Sequence, residues 1–245
     1  TKALASVGVM LLQEEGKLLI TDPIGKYLPA FAETTVAEPN DGGGYNVVPA
    51  RRPITVRDLL THTAGISYGM GLLANRGPAA DAWEESGITG WYFADRDEPV
   101  IDTMSRLAEL PMDAHPGERW VYGYNTDILG AMIEKISGQT LGEFLKERLF
   151  DPLGMTDTHF FLPDNKLGRL ATVYSSVGDG SSFERATDPG HMEGQGHYVS
   201  GPRTAFSAGA GGLSTATDYA AFLQMMLNGG ELNGTRILSR KTVES

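Results

Sequence analysis

Hydrophobic positions along the chain fall into helical stripes separated by glycine- and proline-rich turns. Residues 3–12 are apolar on nearly every side and lead into Gln13, Glu14, Glu15 and Gly16. This predicts a buried helix, with Gly16 left-handed after its last turn. Periodicity alone leaves a strand open for so short a run, but the Ala, Leu and Met content and the closing glycine favour helix. Asp22-Pro23 reads as the start of a short turn that Pro29 ends. Pro39, Pro49, Pro53 and the run Gly42-Gly43-Gly44 predict a loop over 38–53. Thr55 and Asp58 form an acidic variant of the capping box, opening a short helix that Ala64-Gly65 terminates.

Residues 66–97 carry no sustained period, apart from one helix near Ala79–Glu85. The next helix, about Val100–Glu109, presents Ile101, Met104 and Leu107/Ala108 on one stripe. Ile128, Leu129, Met132, Ile133 and Ile136 then share a helix face that Gly138 closes. Thr140 and Glu143 make a full capping box for another helix, broken by Pro152. Residues 174–213 read as loops over a few short strands, and Thr217-Asp218 opens a last long helix that Gly229-Gly230 ends. No internal repeat divides the chain.

Composition narrows the function classes. There are 31 acidic and 20 basic residues, a net charge of −11, and no cluster of Lys and Arg suited to a phosphate backbone; no nucleic acid partner is expected. With no cysteine, disulfides, thiolate metal sites and a cysteine nucleophile are excluded. The longest apolar stretch, Val7–Leu12, is far short of the ~20 residues of a membrane span. Five histidines, His62, His115, His159, His191 and His197, lack the i, i+4 spacing of a helical metal pair, and no metal or cofactor is expected. His62 reads as a hydrogen-bonded helix terminus. Nucleophile-elbow, phosphate-loop and dinucleotide motifs are all missing. What remains is Lys2, at the mouth of an apolar helix, and Tyr122, ahead of another. A lysine so placed loses solvation and becomes able to take a proton, and a neighbouring phenol can shuttle it.

The surrounding blocks carry a resemblance. Thr1-Lys2 before an apolar helix, Glu14-Glu15-Gly16-Lys17-Leu18, Asp22-Pro23 and Tyr27-Leu28-Pro29 resemble the opening of class C β-lactamase-like serine hydrolases. So do the stretch from Ile54 to Gly65, Trp120-Val121-Tyr122-Gly123, Leu129-Gly130, the run from Phe150 to Thr158 and the run from Gly211 to Asp218. Tyr122-Gly123-Tyr124 and Asp127 to Gly130 look most like the family VIII carboxylesterases and related acyltransferases. The fold implied is α/β (α+β type): an antiparallel sheet flanked by helices, with a mainly helical domain inserted. Residues 1–39 and 166–245 would belong to the sheet domain and 40–165 to the helical one.

The resemblance implies a serine carboxylesterase acting on small acyl esters, with Lys2 and Tyr122 catalytic and Tyr124, Asn125 and Trp120 lining the substrate pocket. The family's nucleophile is the serine of Ser-x-x-Lys, which would lie just upstream of Thr1. The family's closing Lys/His/Trp-x-Gly strand would lie beyond Ser245. Both ends therefore read as cut, and the stretch alone is expected to be inactive. A β-lactamase or D-Ala-peptide hydrolase is the first alternative. It is disfavoured because position 124 is Tyr and Asn125 stands one residue late for Tyr-x-Asn. A truncated, inactive binding protein of the same fold is the second.

Overall fold

The computed structural model describes residues 1–69, 77–88, 93–186 and 197–244; His191 lies outside them. Helix α1 (Lys2–Glu14) buries Leu4, Ala5, Val7, Val9, Leu11 and Leu12, which settles the helix-or-strand ambiguity of its apolar run. It ends where expected, with Gly16 left-handed at φ 70°. A hairpin follows, β1 (Thr35–Pro39) against β2 (Tyr45–Pro49), in antiparallel register from Thr35↔Pro49 to Pro39↔Tyr45. The sequence pattern predicted a loop here. Both prolines stand at strand ends, where a missing N–H is tolerated, and the glycines form the turn. There the Asn40 side-chain oxygen accepts from the N–H groups of Gly42 and Gly44.

Helix α2 (Val56–Leu60) has the predicted capping box, Thr55 with Asp58, but ends before Ala64. Helices α3 (Ala80–Glu85) and α4 (Val100–Leu107) lead to α5 (Asn125–Ser137), which Gly138 closes in a left-handed conformation at φ 73°. Helix α5 packs against α1, α2, α4 and α6 (Leu141–Leu145). The chain runs from α6 through a π-type turn, Lys146–Phe150, into α7 (Asp151–Leu153). Pro152 thus does not break the helical run. It directly follows the π-type turn, where the regular α-helical hydrogen-bond pattern is already interrupted and a residue without an N–H is accommodated.

Two further hairpins complete the sheet content of the described residues: β3 (Tyr174–Val177) with β4 (Ser182–Arg185), and β5 (Glu231–Leu232) with β6 (Thr235–Arg236). Between them lie α8 (His197–Ser200) and α9 (Ala216–Leu227). Ser239 caps the one-turn α10 (Arg240–Val243) through Thr242 N–H. Helices with small antiparallel sheets place the chain in the α/β class. One apolar cluster, running in sequence from Leu4 to Leu238, joins α1, α5 and α6. No described helix is long and apolar enough to cross a membrane.

Two contacts outside the apolar cluster hold the segments on either side of the α2–α5 contact. Asp58 accepts from Thr55 N–H (2.8 Å), from both guanidinium nitrogens of Arg52 (2.6 and 2.8 Å) and from the Thr63 hydroxyl (3.3 Å). Gly123 lies against the backbone of the α2-to-Tyr68 segment: a Cβ there would meet the Ser67 carbonyl carbon at 2.3 Å and the Ile66 oxygen at 2.4 Å.

Burial pushes the Asp58 carboxyl up, but Arg52 and the Thr55 donors outweigh it and hold the group below the usual carboxylate range. Its stabilising contribution is therefore complete above the ordinary carboxylate pKa and is lost as pH falls below about 4. Asp58→Asn is expected to destabilise by roughly 2–3 kcal/mol at pH 7, and the gap should narrow at pH 3. Urea unfolding at both pH values checks this, and an unchanged gap contradicts it. Gly123→Ala should lower stability by about 1–3 kcal/mol through overpacking and alter the near-UV circular dichroism of the neighbouring aromatic rings. Stability and spectrum like the wild type would show that the close approach carries no constraint.

Candidate active site

Lys2 occupies the first turn of α1, whose apolar sides are committed to the core, so its side chain emerges at the helix mouth. Its ammonium donates to the Gly209 carbonyl at 2.7 Å and to the Tyr68 hydroxyl at 3.4 Å. It also lies 4.9 Å from the centroid of the Tyr122 ring, within cation–π range. The fold thus brings together Lys2 and Tyr122, the two groups singled out from sequence. One more contact pins the helix mouth: Gly212 N–H donates to the Thr1 hydroxyl at 2.9 Å.

Tyr122 belongs to an aromatic wall. Its ring stacks on His62 (5.0 Å, 29°) and on Trp120 (5.6 Å, 22°), and meets Tyr68 edge-on at 5.6 Å. Trp120 forms the outer end of this wall and is 59% exposed. Tyr124 and Asn125 do not line an open pocket as expected; both are completely buried. Tyr124 is enclosed by Tyr68, Trp83 and Phe93. The Asn125 amide nitrogen faces the carbonyls of Ile66 (3.1 Å) and Val121 (3.2 Å) and the Nδ1 of His62 (3.1 Å). The physical reason is local. Once Tyr122 projects from the segment before α5, the next residues enter a helix whose every residue from Asn125 to Ile133 is buried.

His62 is more than a helix terminus. Its backbone is left-handed at φ 56°, which directs the imidazole onto Tyr122. Burial first and the Lys2 charge second push its pKa down to about 4, so the ring is neutral at physiological pH. Two further residues join the site that motif spacing did not reveal. Tyr68 contacts Lys2, Tyr122 and Tyr124, and burial, with a smaller effect from Asp127, pushes its phenol up. Asp127 is fully buried on α5 and accepts from the Ser207 hydroxyl (2.7 Å) and from Gly209 N–H (3.0 Å). Tyr68 could be suspected only from its place after the His62-Thr63-Ala64-Gly65 block. For Asp127, the signal is a carboxylate beside the apolar stripe of α5.

The arrangement offers an amine and a phenol ring side by side, walled by aromatic faces. Two nearby serines are engaged elsewhere: Ser67 accepts from Gly69 N–H and Ser207 donates to Asp127.

Comparison with known proteins places the chain in a family. Protein Rv1367c of Mycobacterium tuberculosis is 32% identical over 247 aligned residues, covering 99% of this chain and 56% of that protein. Lovastatin esterase of Penicillium rubens is 28% identical, covering 93% of this chain and 53% of the esterase. The chain thus spans about half the length of these curated relatives. The solved structure of EstCE1, described as a hydrolase with promiscuous acyltransferase activity, shares the fold with a TM-score of 0.76 at 24% identity, over 99% of this chain and 60% of that one. The beta-lactamase family model matches residues 1–245, and with a pattern of blocks that runs from Lys2 to Asp218 the chain belongs to the beta-lactamase family.

Proposed function

We propose that this chain supplies the lysine–tyrosine part of a serine carboxylesterase site, acting on small acyl esters through an acyl-enzyme. The observation that carries the reading is the meeting of Lys2 with the face of Tyr122 at 4.9 Å. The name of lovastatin esterase supports ester chemistry. The nucleophile in this reading is a serine three positions ahead of Lys2 on the same helical face, since i and i+3 are neighbours there.

The proposed reaction runs in two steps. The serine oxygen bonds to the ester carbonyl carbon while its proton passes to the Lys2–Tyr122 pair, which accepts it in the form that has already given up one proton, as a neutral amine or a phenolate. The tetrahedral adduct then collapses, the bond to the leaving oxygen breaks, and that alkoxide takes the proton. Water, or a second alcohol, repeats the sequence on the acyl-enzyme and returns free serine. Lys2 is suited to this because Gly209 and the Tyr122 ring fix its position. Trp120, half exposed beside Tyr122, offers an apolar face to the acyl or alcohol group.

The test uses protein that includes the residues just upstream of Thr1, assayed with p-nitrophenyl butyrate and, in parallel, with the lactam nitrocefin. Faster ester than lactam turnover is expected; the reverse would overturn the ester assignment. Tyr122→Phe should reduce kcat by about 100-fold or more and leave the thermal midpoint within a few degrees. Lys2→Ala should behave in the same way. Turnover undiminished in either variant would remove that residue from the site.

A further inference from the structure

We propose that Asp127 is a positioning residue for Lys2, acting through the backbone of Gly209; this rests on the acyl-transfer reading above. The connection is continuous. Asp127 Oδ1 accepts from Gly209 N–H at 3.0 Å, and the carbonyl of the same glycine accepts from Lys2 Nζ at 2.7 Å. Ser207 donates its hydroxyl to the same carboxylate oxygen at 2.7 Å and accepts from Ala210 N–H at 3.1 Å. The turn from Ser207 to Ala210 is therefore wrapped on one buried carboxylate. There is no room for slack between them: a Cβ on Gly209 would lie 2.3 Å from Asp127 Oδ2. That second oxygen has no hydrogen-bond partner, so the carboxylate spends its capacity on this turn.

The geometry makes the position of the Gly209 carbonyl depend on the charge state of Asp127. An ionised carboxylate accepts two hydrogen bonds strongly, whereas a neutral acid or amide holds them less firmly. Burial pushes the Asp127 carboxyl up to about 6, against the opposing pull of the Ser207 and Gly209 donors and of the Lys2 charge. The titratable groups facing it are Lys2 from α1, Tyr68 from the segment after α2 and Tyr124 at the start of α5. Burial pushes both phenols up, so neither changes charge between pH 5 and pH 8. Asp127 alone of these carboxyl and phenol groups does so. Displacement of a reacting amine by even about 1 Å can cost up to ~100-fold in rate, so a modest loosening of the turn is enough to be read in kcat.

The experiment compares the complete wild-type protein with Asp127→Asn, measuring kcat and KM for p-nitrophenyl butyrate from pH 5 to pH 8.5. At pH 8 the variant's kcat should be about 10–100-fold lower, with KM within about threefold. The ratio of the two kcat values should fall towards one below pH 6, because both proteins then carry a neutral group at position 127. Limbs that the proteins share cancel in that ratio. A ratio of one at every pH, or a deficit constant across pH as a merely structural role would give, overturns the proposal. Ser207→Ala provides a second measurement that does not depend on Asp127→Asn folding. Loss of that hydroxyl donor raises the carboxyl further, so the pH midpoint of kcat should move upward; an unmoved midpoint overturns the proposal. If Lys2→Ala and Tyr122→Phe keep full turnover in the same assay, the acyl-transfer reading fails and this proposal with it.

Discussion

The burial of one carboxylate organises this region of the molecule. Helix α5 is enclosed by α1, α2, α4 and α6, and Asp127 lies in its fully buried stretch. An ionised group out of water costs several kcal/mol unless it is hydrogen-bonded, and the donors that meet this demand are Ser207 Oγ and Gly209 N–H. Satisfying Asp127 thus dictates where the Ser207–Ala210 turn must lie. That turn offers the carbonyl that receives Lys2. A demand created inside the core is expressed at the surface, as the location of an ammonium group.

The opposite side of the site is shaped by packing. The close approach of Gly123 to Ser67 and Ile66 brings the segment after α2 against the segment before α5. His62, Tyr68 and Tyr122 meet across that line. Asn125 stitches the two segments through the Ile66 carbonyl and His62 Nδ1. Burial first and the Lys2 charge second push the His62 pKa down to about 4, so the ring is neutral. The attraction of the Lys2 charge for the Tyr122 ring face adds to the hydrogen bond that Lys2 donates to the Gly209 carbonyl.

Much of this was legible residue by residue. The capping boxes Thr55–Asp58 and Thr140–Glu143 are local hydrogen-bond patterns, and both appear as read. The ends of α1 and α5 follow from Gly16 and Gly138, whose left-handed backbones need no distant partner. The misreadings share a cause. Pro39, Pro49 and Pro152 read as breakers, yet each stands where its missing N–H is tolerated, at a strand end or just after the π-type turn that interrupts the regular helical pattern. Adjacency to Tyr122 makes Tyr124 and Asn125 read as pocket residues. Adjacency says nothing about which side of a helix start faces solvent, and both are buried.

The sequence by itself determined where α1 and α5 end, which stripes are apolar, that no thiol chemistry is possible, and that Lys2 and Tyr122 stand at helix starts. These features rest on backbone dihedrals, local capping and composition, all short-range. Only the tertiary structure decided that Lys2 meets Tyr122, that Tyr68 and His62 complete the wall, and that Asp127 reaches Lys2 through Gly209. Those meetings join residues as far as 207 positions apart. They arise from close packing of α1, α5 and the connecting turns around a shared apolar cluster, and no local pattern encodes which side chains such packing will bring face to face.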